Sequence, residues 1–168
     1  MLFLHKQKTQ KPNNMRRKDR EITDKNIIDE ILRKSEICRV AFFDQEFPYI
    51  VPLNYGYSQN ALYFHTATKG KKLDLIARNN KVAFVIEYFS ELLKYEKSCD
   101  WTTRYRSLMG VGTIEVITDF DEKKKGLDIL MTHYGKTDNV YVDKHVHNIV
   151  ILKLTISDLS AKQAGDWD

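Results

Sequence analysis

Hydrophobic and polar positions along the chain change period several times, and each change marks a predicted element. Short apolar runs rich in β-branched and aromatic residues alternate with turn residues, which is typical of strands. Six strands are predicted, at residues 38–43, 48–57, 61–65, 82–87, 105–118 and 148–156. The first three follow one another through short turns, as in a β-meander. The fold class is therefore predicted to be mainly β, a barrel decorated with helices.

Three helices are predicted where the apolar spacing lengthens to that of an amphipathic helix. They cover residues 25–34, 71–78 and 121–133. Thr23 and Asp24 supply a capping signal for the first helix, and acidic residues occupy the first turn of the third. Residues 91–99 are polar and fit a loop best.

Composition and charge suggest one globular domain. The chain has 168 residues, of which 42% are hydrophobic and 30% charged. Residues 1–14 are polar and basic without periodicity, so we predict a mobile extension followed by a single domain at residues 15–168. Residues 1–20 carry a net charge of +6 and the rest of the chain −2. Because nucleic-acid binders usually carry basic clusters on the folded body, no nucleic-acid partner is expected.

Cysteine usage and hydropathy limit the other classes of partner. Cys38 and Cys99 form no Cys-x-x-Cys pair, so both are expected to be free thiols in a reducing cytosol. No stretch approaches the roughly 18 apolar residues of a membrane span, so we expect a soluble, cytoplasmic protein without a membrane partner. His145 and His147 are predicted to share one strand face, with His133 upstream. A third ligand of suitable geometry is lacking, so no metal site is predicted.

The strongest candidate for chemistry is the segment His-Thr-Ala-Thr-Lys-Gly-Lys-Lys at residues 65–72, between a predicted strand and a predicted helix. A helix N-terminus offers unpaired backbone N–H groups and a partial positive charge. Thr66 and Thr68 add hydroxyls, and Lys71 and Lys72 add full charges. The spacing matches neither a P-loop nor G-x-G-x-x-G, so the pattern alone leaves two interpretations, a phosphate cradle or a solvated basic turn.

Two further segments could surround a ligand. Gly110 and Gly112 leave one face of a predicted strand bare, so a ring or another backbone can approach closely. The same glycines could also relieve crowding inside a barrel. Pro52 lies in another predicted strand and has no N–H, which indicates an edge, a bulge or an interruption that faces a ligand.

Four stretches in order resemble the pyridoxamine-5′-phosphate-oxidase-like FMN-binding split barrels, and among them the 5-nitroimidazole resistance protein family. They are MRRKDREI (15–22), PYIVPLNYGY (48–57), LYFHTATKGKKLD (62–74) and YRSLMGVGTIE (105–115). The resemblance spans roughly residues 15–160. It implies a six-stranded split barrel that forms a homodimer and binds FMN, in preference to FAD, at the dimer interface.

The resemblance also implies roles for individual residues. Residues 66–72 and 105–107 would contact the phosphate, residues 50–54 would lie along the flavin ring, and His65 matches the active-site histidine and is the predicted catalytic residue. The implied cofactor-binding residues are Val51, Pro52, Leu53, Asn54, His65, Thr66, Ala67, Thr68, Lys71, Lys72, Tyr105, Arg106 and Ser107.

The function implied by the resemblance is that of an FMN-dependent oxidoreductase that reduces a small aromatic or nitro compound. One alternative is a flavin-binding or sensor module without turnover, because no nicotinamide-binding motif is visible. A second is oxidation of pyridoxamine 5′-phosphate. That activity needs a further phosphate pocket, and the body of the chain offers no other Lys/Arg-rich loop to form one.

Overall fold

The computed structural model describes residues 15–167, so the extension predicted at residues 1–14 lies outside the described residues. The helices are α1 (Lys25–Lys34), α2 (Lys71–Arg78), α3 (Phe120–His133) and α4 (Asp143–His147). The strands are β1 (Glu21–Ile22), β2 (Ile37–Phe42), β3 (Tyr49–Asn54), β4 (Gly56–Ser58), β5 (Ala61–Ala67), β6 (Lys81–Leu93), β7 (Thr102–Ile117) and β8 (Ile149–Ala164). Single 3₁₀ turns occur at Lys18–Arg20 and Ser98–Asp100.

Alternating burial along the strands builds one core. In β2, Cys38, Val40 and Phe42 are buried, whereas Arg39 is exposed. The same alternation in β5, β6, β7 and β8 places one apolar face of each strand in that core. A strand has a side-chain period of two, so this pattern also fixes which residues face outward.

The order of the strands explains why the sheet closes on itself. All pairs are antiparallel, and the order is β3-β2-β6-β7-β8-β5-β4, with β1 beside β8. The first and last strands of this order, β3 and β4, are consecutive in the chain and are separated only by Tyr55. Tyr55 is fully buried, and its hydroxyl donates to the Leu32 carbonyl oxygen at 2.8 Å, which anchors the junction to α1. The sheet therefore curls into a split barrel, and the predicted mainly β fold class is confirmed.

The described residues contain eight strands where six were predicted. The predicted strand at residues 48–57 is divided at Tyr55 into β3 and β4, and the two-residue β1 is too short to show a period. The strand ends also differ from the prediction. β6 continues to Leu93, where a loop was expected, and β8 runs on to Ala164. These polar ends are strands because they pair with β7, Leu93 opposite Thr102 and Ala164 opposite Tyr105.

Candidate functional site

The bend between β5 and α2 contains the predicted phosphate cradle. β5 ends at Ala67, three bend residues follow, and α2 begins at Lys71. Gly70 has φ +139°, which L side chains rarely adopt, and it precedes the helix without a side-chain cap. Thr68 and Lys69 are exposed. The bend therefore brings a helix N-terminus, a hydroxyl and cationic side chains to one place at the surface.

The side chains of β5 alternate between two faces, and this separates His65 from Thr66. Thr66 is only 9% exposed and shares the core face with Phe64. His65 and Ala67 are exposed on the opposite face. The side chains of His65, Ala67 and Thr68 therefore lie at the surface, whereas the side chain of Thr66 lies on the core side.

The two lysines of the bend differ in their surroundings. Lys71 Nζ lies 2.7 Å from Asp44 Oδ2 and 4.8 Å from the centroid of the Tyr49 ring. Lys72 is half-buried and has no ion-pair partner among residues 15–167. The Asp44–Lys71 pair also places the bend beside the start of β3. Two of the three predicted segments are therefore neighbours in one chain.

The predicted ring-contacting residues 50–54 lie on β3, at the edge of the described sheet. Pro52 stands opposite Arg39 of β2, and an edge strand tolerates a residue that has no N–H. Val51 and Leu53 pack on the core, whereas Pro52 is exposed. The edge interpretation of Pro52 is confirmed, and the outer side of β3 offers backbone groups that are not used by a neighbouring strand in the described sheet.

Asn54, at the end of β3, is held by hydrogen bonds within the chain. Its side-chain amide donates to the Glu36 carbonyl oxygen at 3.3 Å and to the Tyr134 hydroxyl at 3.1 Å. The Tyr134 hydroxyl donates to the same Glu36 oxygen at 2.6 Å and accepts the Tyr55 backbone N–H at 3.3 Å. This network fixes the split between β3 and β4, so the Asn54 side chain has a structural task.

The third predicted segment, residues 105–107, lies near the start of β7. The side chain of Arg106 is 13% exposed. Its Nε donates to Gln163 Oε1 at 3.2 Å, its Nη1 lies 3.4 Å from Glu30 Oε2, and its guanidinium lies 4.2 Å from the centroid of the Trp167 ring. Arg106 therefore connects α1, β7 and the end of β8.

The register shows that one chain does not bring its two predicted phosphate-contacting segments together. His65 pairs with Ile151 of β8, and Tyr105 pairs with Ala164 of the same strand. The fourteen residues from Ile151 to Ala164 span about 40 Å when measured along an extended strand. The bend and residues 105–107 thus lie toward opposite ends of β8.

Gly110 and Gly112 are explained by close packing within the barrel. A Cβ on Gly110 would lie 2.5 Å from the Phe84 ring, and one on Gly112 would overlap the Thr155 carbonyl oxygen. A ring and a backbone do approach this strand face, as predicted, but both belong to the chain itself. The interpretation that these glycines relieve crowding is the one that fits the structure.

A groove of about 570 Å³ on the outer face of the barrel was not predicted as a whole, although it includes Ile50 of the predicted ring-contacting segment. It crosses β3, β2, β6, β7 and β8, and among its lining residues are Arg39, Ala41, Ile50, Val85, Met109 and Val111. Ile50 is 60% exposed and Met109 56%. The sequence does contain a signal for this groove, the uninterrupted apolar run at residues 82–86. A strand that is apolar on both faces usually has protein packed against both faces.

Outside the bend, the two cysteines and Glu30 are further titratable candidates for a site. Burial raises the pKa of the Cys38 thiol far above its ordinary value, so Cys38 is a core residue, whereas Cys99 is an exposed free thiol. The hydrogen bond from Lys34 lowers the pKa of Glu30, and the charge of Arg106 acts in the same direction.

The expected placement of His145 and His147 on a strand face was wrong, because both lie on the short helix α4. The ring of His147 stacks on Phe120 with centroids 4.7 Å apart. Among residues 15–167 no group of three or more His, Cys, Asp or Glu side chains is arranged to hold a metal ion. Within the same residues, no helix combines the length and the apolar character that a membrane crossing requires.

Comparisons with known proteins agree with the fold. The family model described as pyridoxamine 5′-phosphate oxidase matches residues 24–163. A proposed 5-nitroimidazole antibiotic resistance protein from Bacteroides thetaiotaomicron is 34% identical, with a TM-score of 0.75 over 84% of this chain and 85% of that chain. The FAD and heme binding protein from Mycobacterium smegmatis is 25% identical, with a TM-score of 0.78 over 88% of this chain and 75% of that one.

The flavocytochrome Anf3 from Azotobacter vinelandii has a TM-score of 0.75 over 90% of this chain and 72% of that chain. At 16% identity it shows a shared fold alone. A search of curated proteins found no match.

Proposed function

This chain belongs to the pyridoxamine 5′-phosphate oxidase family, a family of flavin-binding proteins, and we propose that it binds FMN between two chains and reduces a small aromatic or nitro compound. The substrate class rests on the resemblance to the 5-nitroimidazole resistance proteins. The choice of FMN rests on the bend between β5 and α2.

The proposal rests on the functional groups that the bend brings together. A phosphate dianion is stabilised by helix N-termini, hydroxyl donors and ammonium groups. The bend offers all three kinds of group: the N-terminus of α2, the hydroxyl of Thr68 and the ammonium of Lys72. Thr68 is exposed and Lys72 is half-buried. These residues fit a terminal phosphate monoester such as that of FMN.

The register of β8 supports a site shared by two chains. If the bend and residues 105–107 contact one cofactor, the roughly 40 Å of strand between them favours an arrangement in which the two segments come from different chains. The apolar groove on the outer face supports association as well, because a large exposed apolar patch usually marks an interaction surface.

When bound, the flavin would transfer the electrons. The chain would bind the flavin, orient its ring and deliver a proton to the substrate. The free edge of β3 near Pro52 would orient the ring through backbone hydrogen bonds. His65 is exposed beside the bend, and its imidazole would donate a proton to the substrate.

The test is the absorbance spectrum of the purified protein together with the mass of the released ligand. We expect a yellow protein that releases FMN. A colourless protein that takes up no added FMN would contradict the proposal. Release of FAD would leave a flavoprotein but remove the argument for a terminal phosphate monoester.

A haem protein that also binds FAD is the second candidate. It is favoured by the exposed imidazole of His65, which forms no hydrogen bond to the described residues, and by the similarity to the FAD and heme binding protein from Mycobacterium smegmatis. A Soret band in the same spectrum, lost in His65→Ala, would support this candidate. Its absence would favour a flavin alone.

Turnover is separated from simple binding by anaerobic mixing with NADH or NADPH. A reductase supplied by a nicotinamide should lose its flavin absorbance with one of the two donors. If neither donor has an effect, a flavin-binding or sensor module is the better description.

A further inference from the structure

Asp44 is a charged residue beside the bend that no sequence motif includes. It lies in the loop between β2 and β3 and reaches α2 through its ion pair with Lys71, Oδ2 to Nζ at 2.7 Å. The Asp44 side chain is 21% exposed and that of Lys71 is 56% exposed. The Lys71 ammonium also lies over the Tyr49 ring. Lys71 is thus turned toward this loop by a carboxylate and an aromatic face.

The hollow beside this ammonium is lined by more acidic than basic side chains. A hollow of about 300 Å³ between the loop and α2 is lined by Asp44, Gln45, Glu46, Phe47, Pro48, Tyr49 and Lys71. It contains two carboxylates and one ammonium. A phosphate that approached Lys71 in this conformation would be repelled by Asp44 as well as attracted by the lysine.

We infer that Asp44 is a specificity-determining residue that holds Lys71 in the free chain and releases it when a phosphate binds at the bend. This inference rests on the proposed phosphate site. A phosphate monoester carries nearly two negative charges at pH 7 and can replace one carboxylate as the partner of Lys71. A flavin without a phosphate cannot do so. Asp44 therefore determines how much the affinity for a phosphorylated flavin differs from the affinity for a flavin without a phosphate.

The chain offers a matched control in Asp74. It is an exposed acidic residue in the first turn of the same helix and has no ion-pair partner among residues 15–167. Asp74→Asn removes one negative charge near the bend without releasing Lys71, whereas Asp44→Asn removes the same charge and releases it. The difference between the two variants isolates the contribution of the ion pair.

The test compares dissociation constants of FMN and riboflavin for the full chain and its variants. We expect Asp44→Asn to tighten FMN binding roughly threefold to tenfold, and Asp74→Asn by no more than about twofold. Riboflavin binding should stay the same in both. In a Lys71→Met background, the gain from Asp44→Asn should fall to that of Asp74→Asn. Equal gains in the two single variants, or an equal gain for riboflavin, would overturn the inference.

Inorganic phosphate separates this inference from the flavin proposal. If no variant binds FMN, the flavin proposal fails, and the unfolding temperature in a phosphate titration decides the role of Asp44. A larger phosphate-dependent rise for Asp44→Asn than for the unmodified chain and Asp74→Asn supports the inference. Equal rises in all three would overturn it.

Discussion

Lys72 is the lysine of the bend that the structure leaves available for a ligand. It has no ion-pair partner in the described part of the chain, whereas Lys71 is bound to Asp44. Lys72→Ala should weaken FMN binding by about 1.5–3 kcal/mol, the value of one charge-assisted hydrogen bond. Lys71→Ala with Lys72→Ala should weaken it by about 2–4 kcal/mol. Titration of the apoprotein with FMN measures both.

Arg78→Ala is the control for these variants, because Arg78 is an exposed cation at the opposite end of α2. It should leave the FMN dissociation constant unchanged. If Lys72→Ala also leaves it unchanged, the assignment of Lys72 to the phosphate is wrong.

His65 should act on the substrate more than on the cofactor. Its side chain lies on the exposed face of β5, and its backbone is fixed by the pairing with Ile151. His65→Ala should therefore lower the turnover rate while the flavin content per chain stays near that of the unmodified protein. The two measurements are a steady-state rate and a flavin-to-protein ratio. A parallel loss of both would identify His65 as a cofactor ligand.

At the residue scale, the sequence predicts the bend but not all of its contacts. The order of Thr, Gly and Lys residues before α2 is visible in the chain, and so is the alternation that places His65 and Thr66 on opposite faces. The Asp44–Lys71 pair is not visible, because it depends on how the loop after β2 folds over α2. Such contacts between distant segments leave no local pattern.

At the element scale, Arg106 connects α1 to the end of β8, a structural role that was not predicted. It is held by Gln163, Glu30 and the Trp167 ring. Arg106→Ala should lower the free energy of unfolding by about 1–3 kcal/mol, because it removes charge-assisted bonds and a cation–π contact. Urea-induced unfolding measures this change.

The exposed Arg78→Ala again supplies the reference, and its free energy of unfolding should change by less than about 0.5 kcal/mol. If Arg106→Ala keeps full stability but loses FMN affinity, then Arg106 serves the cofactor and the cluster around it contributes little to folding.

Elements with local boundary signals are predicted best. The helices predicted at residues 25–34 and 71–78 have those bounds in the structure. Asp24 caps the first by accepting the Asn26 N–H at 2.8 Å, and Gly70 precedes the second. The division of β3 from β4 was missed, because the buried Tyr55 at the junction looks like any strand residue. The long ends of β6 and β8 were missed because pairing with β7, rather than apolar pattern, makes them strands.

At the scale of the whole molecule, the outer apolar groove should belong to an interface between two copies of the chain. Met109 is 56% exposed at this groove. Met109→Asp should dissociate the proposed dimer, because it would bury a carboxylate in an apolar contact. Light scattering should give twice the chain mass of 19.8 kDa for the unmodified protein and a single chain mass for the variant.

Lys144→Asp is a suitable control for the light-scattering measurement. Lys144 is exposed on α4 and does not line the groove. The control should keep the mass of the unmodified protein. If the unmodified chain is a monomer even with FMN present, the shared site is wrong.

The phosphate of FMN should be bound by the bend between β5 and α2. The most direct measurement is a parallel titration of the apoprotein with FMN and with riboflavin, which differ only in that phosphate. We expect one FMN per chain, bound at least about tenfold more tightly than riboflavin, since a phosphate held by charge-assisted hydrogen bonds contributes well over about 1.4 kcal/mol. Equal affinities, or no binding of either flavin, would show that the bend does not hold the phosphate.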